Sequence, residues 1–291
     1  MAAVIQTQGL TKSYGKHRGI VDTNMTVNEG EIYGFIGPNG AGKSTMIKTL
    51  LNFLFPTSGS ATVLGLDCVN ESRRIKAQTA YVPSDIHYYE ELTVGDLLSY
   101  SDGFYPEAEK EYTQQLVQRF ELDTKKKIGQ LSTGNKKKAA LVAALSCRPK
   151  LMILDEPTNG LDPLMRQKLF EALLEQREAG CTIFLSSHNL DEVQSLCSRV
   201  AIIREGRIVD IKEIGVLSAE RAKKVTVIGE SIPDSFENEA IKIVSKTKGR
   251  IAFTYHSTDM GALLQLLSGM NAQDFLVEDL KLSDIFLAYY K

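Results

Sequence analysis

The sequence predicts an α/β fold built on a largely parallel sheet, and three observations carry that expectation. Apolar strand-like runs alternate with helical segments through the second third of the chain. The run EIYGFI passes into GPNGAGKST and resumes as MIKTLLNFL, which is a strand, a bare glycine turn and a helix. A second apolar run, LMILD, ends on adjacent acids, Asp155 and Glu156. Ligands gather at the carboxyl ends of strands in such sheets, so the acid pair is expected to face the glycine turn.

Taken in order, residues 1 to 36 read as three strands, VIQTQGL, IVDTNMTV and EIYGFI, separated by turns that hold Gly and Asn. The helix after the glycine turn is expected to stop before Pro56, since proline disfavours helix in the residue before it. Short strands TVLGL and AYV follow between 61 and 82. Leu97, Leu98, Tyr100 and Phe104, then Tyr112, Leu116, Val117 and Phe120, recur at three- and four-residue spacing and predict helix over about 93 to 146. Beyond LMILD, the segment PLMRQKLFEALLEQREAG reads as a helix ended by Gly180, CTIFLSS as a strand, NLDEVQSLC as a helix and RVAIIREGRIVD as a hairpin.

After about residue 215 the pattern changes. KKVTVIG, IKIVSKTKG and RIAFTYH read as short strands, while MGALLQLLSGM and LKLSDIFLAYYK read as amphipathic helices. The second of these carries Leu282, Ile285, Phe286 and Tyr290 on one stripe. The expected organisation is a main domain over 1–215, with a helical subdomain at about 85–148, and a small α+β accessory domain over 216–291.

Composition narrows the function. Lys+Arg number 34 against 36 Asp+Glu, so no basic field is available for holding nucleic acid by charge alone. The longest apolar clusters, such as AALVAAL, fall far short of the roughly 20 residues that cross a bilayer, and the N-terminus does not read as a signal peptide. The chain is therefore expected to be soluble by itself. Four cysteines, Cys68, Cys147, Cys181 and Cys197, are scattered without C-x-x-C spacing and read as reduced, packed thiols of a cytosolic protein.

Gly37 to Ser44 fits G-x-x-x-x-G-K-S, the spacing of a phosphate-cradling loop. Gly37, Pro38, Asn39, Gly40, Ala41 and Gly42 supply a backbone that approaches a bulky anion, the following helix its positive dipole end, and Lys43 a full charge. Ser44 is placed to ligate Mg²⁺ and Thr45 to bond a phosphate nearer the nucleoside, so the ligands expected are ATP and Mg²⁺. Asp155 suits water-mediated Mg²⁺ coordination and Glu156 suits polarising an attacking water as general base.

With these motifs the chain resembles, over about residues 3 to 215, the nucleotide-binding subunit of an ATP-binding cassette (ABC) transporter. The resemblance implies a P-loop NTPase core of the ABC type with an antiparallel β subdomain and a helical subdomain. LSTGN, residues 131 to 135, is similar to the signature LSGGQ that touches the γ-phosphate held by a second cassette, which marks Ser132, Thr133, Gly134 and Asn135 as nucleotide contacts. A helix N-terminus there would form an anion site. NGLDP resembles the loop that crosses between cassettes, with Asp162 as a cap and Pro163 at the first helical position. His188 matches the switch histidine, and Tyr14 stands where the family stacks an aromatic ring on adenine.

The chain departs from the family at three places. Thr133 replaces a signature glycine and Asn135 a glutamine. Lys136, Lys137 and Lys138 follow, read either as a solvated helix face or as a phosphate-attracting one. In YVPSD, Ser84 stands where the family has glutamine, so Mg²⁺ ligation at Ser84 would run directly through a shorter side chain or through water.

Each motif occurs once, so the resemblance implies a head-to-tail pair of ATP-binding subunits, either a homodimer or two paralogues, coupled to separate transmembrane permease subunits at the cytoplasmic face of the membrane. Exporter cassettes for drugs, antibiotics or peptides are the leading reading, and the tail LVEDLKLSDIFLAYYK resembles their C-terminal extensions. A soluble ABC ATPase acting on ribosomes or DNA is the alternative. Tyr88 and Tyr89, expected in an exposed loop, are candidate anchors for a permease helix.

Overall fold

The computed structural model describes residues 2–15, 17–105, 110–214, 223–229, 240–257, 259–270 and 272–279. The chain divides into two compact units, Met1–Ile211 and Lys212–Lys291.

In the first unit, β1 (Ala3–Tyr14) and β2 (His17–Asn28) form a long antiparallel ribbon, and β4 (Ser58–Val63) and β5 (Leu66–Asp67) extend it to a four-stranded antiparallel sheet of order β2-β1-β4-β5. A six-stranded sheet has the order β10-β9-β3-β8-β7-β6. Its members are β3 (Ile32–Ile36), β6 (Thr79–Val82), β7 (Leu151–Asp155), β8 (Thr182–Ser187), β9 (Arg199–Arg204) and β10 (Arg207–Glu213). Pairs β3–β8, β3–β9, β6–β7 and β7–β8 are parallel. Strands β3, β7 and β8 are buried at every residue, as expected where helices cover both faces of a parallel sheet. The Glu205-Gly206 turn between β9 and β10 has positive φ at both residues, the backbone of a two-residue hairpin loop.

The helices of this unit are α1 (Lys43–Leu50), α2 (Ser72–Lys76), α3 (Val94–Asp102), α4 (Lys110–Arg119), α5 (Thr133–Ser146), α6 (Pro163–Glu178) and α7 (Leu190–Leu196). The helical span expected over 93 to 146 is therefore three helices. Thr93 caps α3 with a capping box, Glu121 turns the chain after α4 with φ of 55°, and Ser132 caps α5. Tyr100 and Phe104, counted on the apolar face, are 66% and 61% exposed and meet each other edge-on at 4.9 Å. The buried face of α3 is Val94, Leu97 and Leu98. One core cluster joins Ile5, Leu10 and Val27 of the ribbon to Phe35, Met46, Ile47 and Phe184, so the antiparallel sheet and the phosphate loop's helix share an apolar interior.

The second unit is an antiparallel sheet of order β12-β13-β11-β14, from β11 (Lys223–Ile228), β12 (Ile241–Thr247), β13 (Arg250–Tyr255) and β14 (Asp274–Asp279), with helix α8 (Met260–Ser268). Val225, Val227, Ile251, Phe253, Leu263 and Leu267 form its own core. Strand β14 takes the first four residues of the tail LVEDLKLSDIFLAYYK, and its Val277 packs on this core and pairs with Val225. The stripe Leu282, Ile285, Phe286 and Tyr290 lies outside the described residues.

Candidate active site

The phosphate loop hangs between β3 and α1. A Cβ on Gly37 would lie 2.3 Å from the Ile203 carbonyl oxygen, so only a bare backbone lets β9 pack this close. Gly42 caps α1 at φ of 110°, a conformation that L side chains rarely adopt. Pro38, Asn39 and Gly40 are exposed at the rim, Ala41 is buried, and Ser44 and Thr45 are half-buried in the first turn of α1. The first N–H groups of that helix have no intrahelical acceptor and are available to an anion.

Lys43 is buried, and its ammonium donates to the carbonyls of Gly37 at 2.7 Å and Pro38 at 3.2 Å. The same ammonium pairs with Glu156 Oε1 at 3.1 Å. Glu156 Oε2 lies 2.7 Å from Nδ1 of the half-exposed His188. Each oxygen of the carboxylate thus has one nitrogen partner. The Glu156 backbone sits at φ of +50°, an uncommon setting for a non-glycine residue and one that clusters at functional sites. It is held there by Ser186, whose carbonyl and hydroxyl accept from the Glu156 N–H at 3.2 Å and 3.1 Å. The Ser186 hydroxyl also donates to Asp155, which is 1% exposed at the end of β7.

A further buried carboxylate backs this cluster. Glu192 accepts from the hydroxyls of Thr158 at 2.8 Å and Ser187 at 3.2 Å and pairs with Arg166 at 3.7 Å. Neither Ser186 nor Glu192 was anticipated, although the polar pair Ser186-Ser187 at the end of an otherwise apolar strand is a signal readable in the sequence.

The signature residues form a second group. The Ser132 hydroxyl caps α5 by accepting from the Asn135 N–H at 3.3 Å, and Thr133 and Gly134 lie in the first turn. A Cβ on Gly134 would meet the Gly160 carbonyl at 2.7 Å, so this glycine admits the NGLDP loop. Asp162 caps α6 by accepting from the Met165 N–H at 3.0 Å, with Pro163 following at the first helical position.

The three members of the lysine run part company. Lys136 is half-buried and reaches Glu90 at 3.9 Å, and Lys138 is half-buried. Lys137 is 3% exposed and donates to the carbonyls of Pro83 at 3.0 Å and Ser84 at 3.1 Å. Burial pushes its pKa down, against the fields of Asp155, Asp85 and Glu156 that push it up. The exposed tyrosine pair also divides: Tyr89 is 83% exposed, whereas Tyr88 is half-buried and burial raises its phenol pKa. Tyr14 is 41% exposed, with the Lys12 ammonium 5.5 Å from its ring centre.

The donor set suits the ligands inferred from the sequence. A glycine-rich backbone cradle with a buried ammonium fits a polyphosphate. Asp155, Ser44 and Ser84 offer only hard oxygen donors, the kind Mg²⁺ takes alongside water and phosphate oxygens. Among the described residues no cluster of three or more His, Cys, Asp or Glu side chains is arranged to hold a metal without such help. All four cysteines are buried and free, and burial pushes the Cys181 thiol up to about 12.

Residues 20–159 match the family model described as ABC transporter. The bacitracin transport ATP-binding protein BcrA of Bacillus licheniformis is 35% identical over 215 residues, covering 72% of this chain and 70% of the relative. The Nod factor export ATP-binding protein I of Burkholderia lata is 31% identical over 293 residues, covering 98% of this chain and 96% of the relative. A solved structure described as the ATP-binding subunit of an ABC transporter superposes with a TM-score of 0.69 at 31% identity, covering 75% of this chain and 92% of the other. The ribosome- or DNA-directed alternative draws no support from these names. With a phosphate loop, an acid pair and a histidine converging at the ends of parallel strands, and relatives matched over most of the length, the chain belongs to the ABC transporter family as an ATP-hydrolysing, ATP-binding subunit.

Proposed function

We propose that this chain powers an exporter: two ATP-binding subunits close head to tail on ATP, hydrolysis reopens them, and separate permease subunits in the membrane follow that motion from its cytoplasmic face. The observation that carries the reading is the Lys43–Glu156–His188 cluster, with the acid shared between the phosphate-loop lysine and the histidine. The export name of one relative, the Nod factor export ATP-binding protein I matched along 98% of the chain, supports the direction of transport. Among the described residues no helix is long and apolar enough to cross a membrane, which fits a permease carried on other chains.

In this reading the loop from Gly37 to Thr45 binds the triphosphate, and Tyr14 stacks on adenine. Phosphate oxygens compete with Glu156 for the Lys43 ammonium. Glu156, relieved of that partner, accepts a proton from the attacking water. His188 orients the carboxylate through Nδ1, and its other ring nitrogen remains for the γ-phosphate. Ser44, Asp155 and Ser84 would hold Mg²⁺, which when bound supplies charge neutralisation at the transferred phosphoryl group. Ser132, Thr133, Gly134 and Asn135 of one subunit complete the site of the other, and Asp162 lies in the crossing loop. The domain division expected from the sequence, an ATPase domain over 1–215 and an accessory domain over 216–291, belongs to the same proposal.

Glu156→Gln tests it. Removing a general base typically costs about 10²–10⁴-fold in rate, while the nucleotide contacts of Lys43 and Ser44 remain. ATP turnover should fall by that order with ATP affinity retained. Near-normal turnover, or loss of nucleotide binding, would remove Glu156 from the role.

A further inference from the structure

Lys137 is a charged side chain that none of the assigned roles uses, and its surroundings are unusual for a lysine. It projects one turn beyond the N-terminus of α5, the helix that begins at the signature sequence, and it is 3% exposed. Its ammonium donates to two successive carbonyls, those of Pro83 and Ser84, in the loop that leaves β6. Burial pushes its pKa down, and the fields of Asp155, Asp85 and Glu156 oppose that shift.

An ammonium taken out of water is costly unless it is well paired, and an apolar or neutral side chain would fill the same space without that penalty. Its two carbonyl acceptors offset part of that cost. A lysine here despite that cost ties together two parts, the signature helix and the loop that leaves β6. The neighbouring lysines do not share this setting, since Lys136 reaches toward the exposed Glu90.

We propose that Lys137 is a positioning residue for ATP hydrolysis, which clamps the Pro83–Ser84 backbone to the signature helix of its own chain. The clamp sets where Ser84 and Asp85 stand relative to the acid pair. It also makes the loop move with the helix whose first turn would face the nucleotide of a second subunit. The proposal rests on the ATPase reading above.

The test uses the full chain and three substitutions, Lys137→Met, Lys137→Gln and Lys137→Arg. For each, kcat and KM for ATP with Mg²⁺, the affinity for a fluorescent ADP and the melting temperature are measured. Lys137→Met keeps the length and removes the charge, and it should lower kcat by about tenfold or more while KM and ADP affinity stay within about threefold. Its melting temperature should be unchanged or higher, because a desolvated charge has been removed. Lys137→Gln should fall between Met and wild type, and Lys137→Arg should recover at least about a third of the wild-type kcat. The proposal is overturned if Met and Gln variants turn over within about twofold of wild type. It is equally overturned if kcat, ADP affinity and melting temperature fall together in Met and Gln and Arg does not rescue them, since Lys137 would then be structural. A wild-type chain without ATPase activity would instead sink the functional reading on which the inference stands.

Discussion

Glu156 shows how much chemistry a single residue can gather. Its φ of +50° turns the side chain out of the strand direction, and its two oxygens meet Lys43 and His188, which lie 113 and 32 positions away in the chain. Ser186 holds the backbone in that setting through its carbonyl and its hydroxyl. Ser84 is the residue-scale question that follows from the sequence, because its hydroxyl stands where the family carries a longer amide. If that hydroxyl assists Mg²⁺, Ser84→Ala should lower ATPase activity and raise the Mg²⁺ concentration for half-maximal rate, while Ser84→Gln is tolerated. An unchanged Mg²⁺ titration for Ser84→Ala would show that the metal is held without this side chain. The Ser84 carbonyl is already engaged by Lys137, so the alanine variant isolates the hydroxyl and leaves the clamp in place.

Among the elements, α6 separates a structural cap from a role between subunits. Asp162 accepts from the Met165 N–H, Pro163 takes the first helical position where no N–H is needed, and the buried face of Met165, Leu169, Ala172 and Leu173 anchors the helix. Asp162→Ala should cost about 1 kcal/mol, read as a fall in melting temperature of roughly 2–4 °C. Asp162→Asn should restore most of that stability, since asparagine caps as well. If Asp162 also acts across a dimer, the asparagine chain should recover its melting temperature without full ATPase activity. Recovery of both would leave Asp162 as a cap only. The α5 helix differs from α6 in that its glycine, Gly134, serves the approach of Gly160.

For the whole molecule, the proposed composite site makes a prediction that no single chain can meet. Mixing equal amounts of a Lys43→Ala chain and a Ser132→Arg chain should restore ATPase activity, because a mixed dimer unites the intact phosphate loop of one chain with the intact signature of the other. Random pairing leaves about a quarter of the wild-type sites intact, which sets the ceiling for the recovered rate. Each mutant alone should be nearly inactive. Full activity from either one alone would refute the head-to-tail arrangement.

The alternation of strand and helix, the phosphate loop, the acid pair and the cap at Asp162 were legible in the sequence because each depends on neighbours within a few positions. Apolar period, glycine spacing and capping residues are local signals. The same local signals misled where the partner was remote. Tyr100 and Phe104 fit the helical period yet meet each other at the surface, and Tyr88 is half-buried where a loop suggested exposure. Lys137 looked like one member of a charged run, and only the fold brings the Pro83 and Ser84 carbonyls to its ammonium from more than fifty positions away. By itself, then, the sequence determined which elements form and which groups could bind a nucleotide, since both follow from short-range covalent order. Tertiary structure alone decided which side chains share the Glu156 carboxylate and which lysine is buried, because packing of distant segments sets burial and the burial sets the cost of each charge.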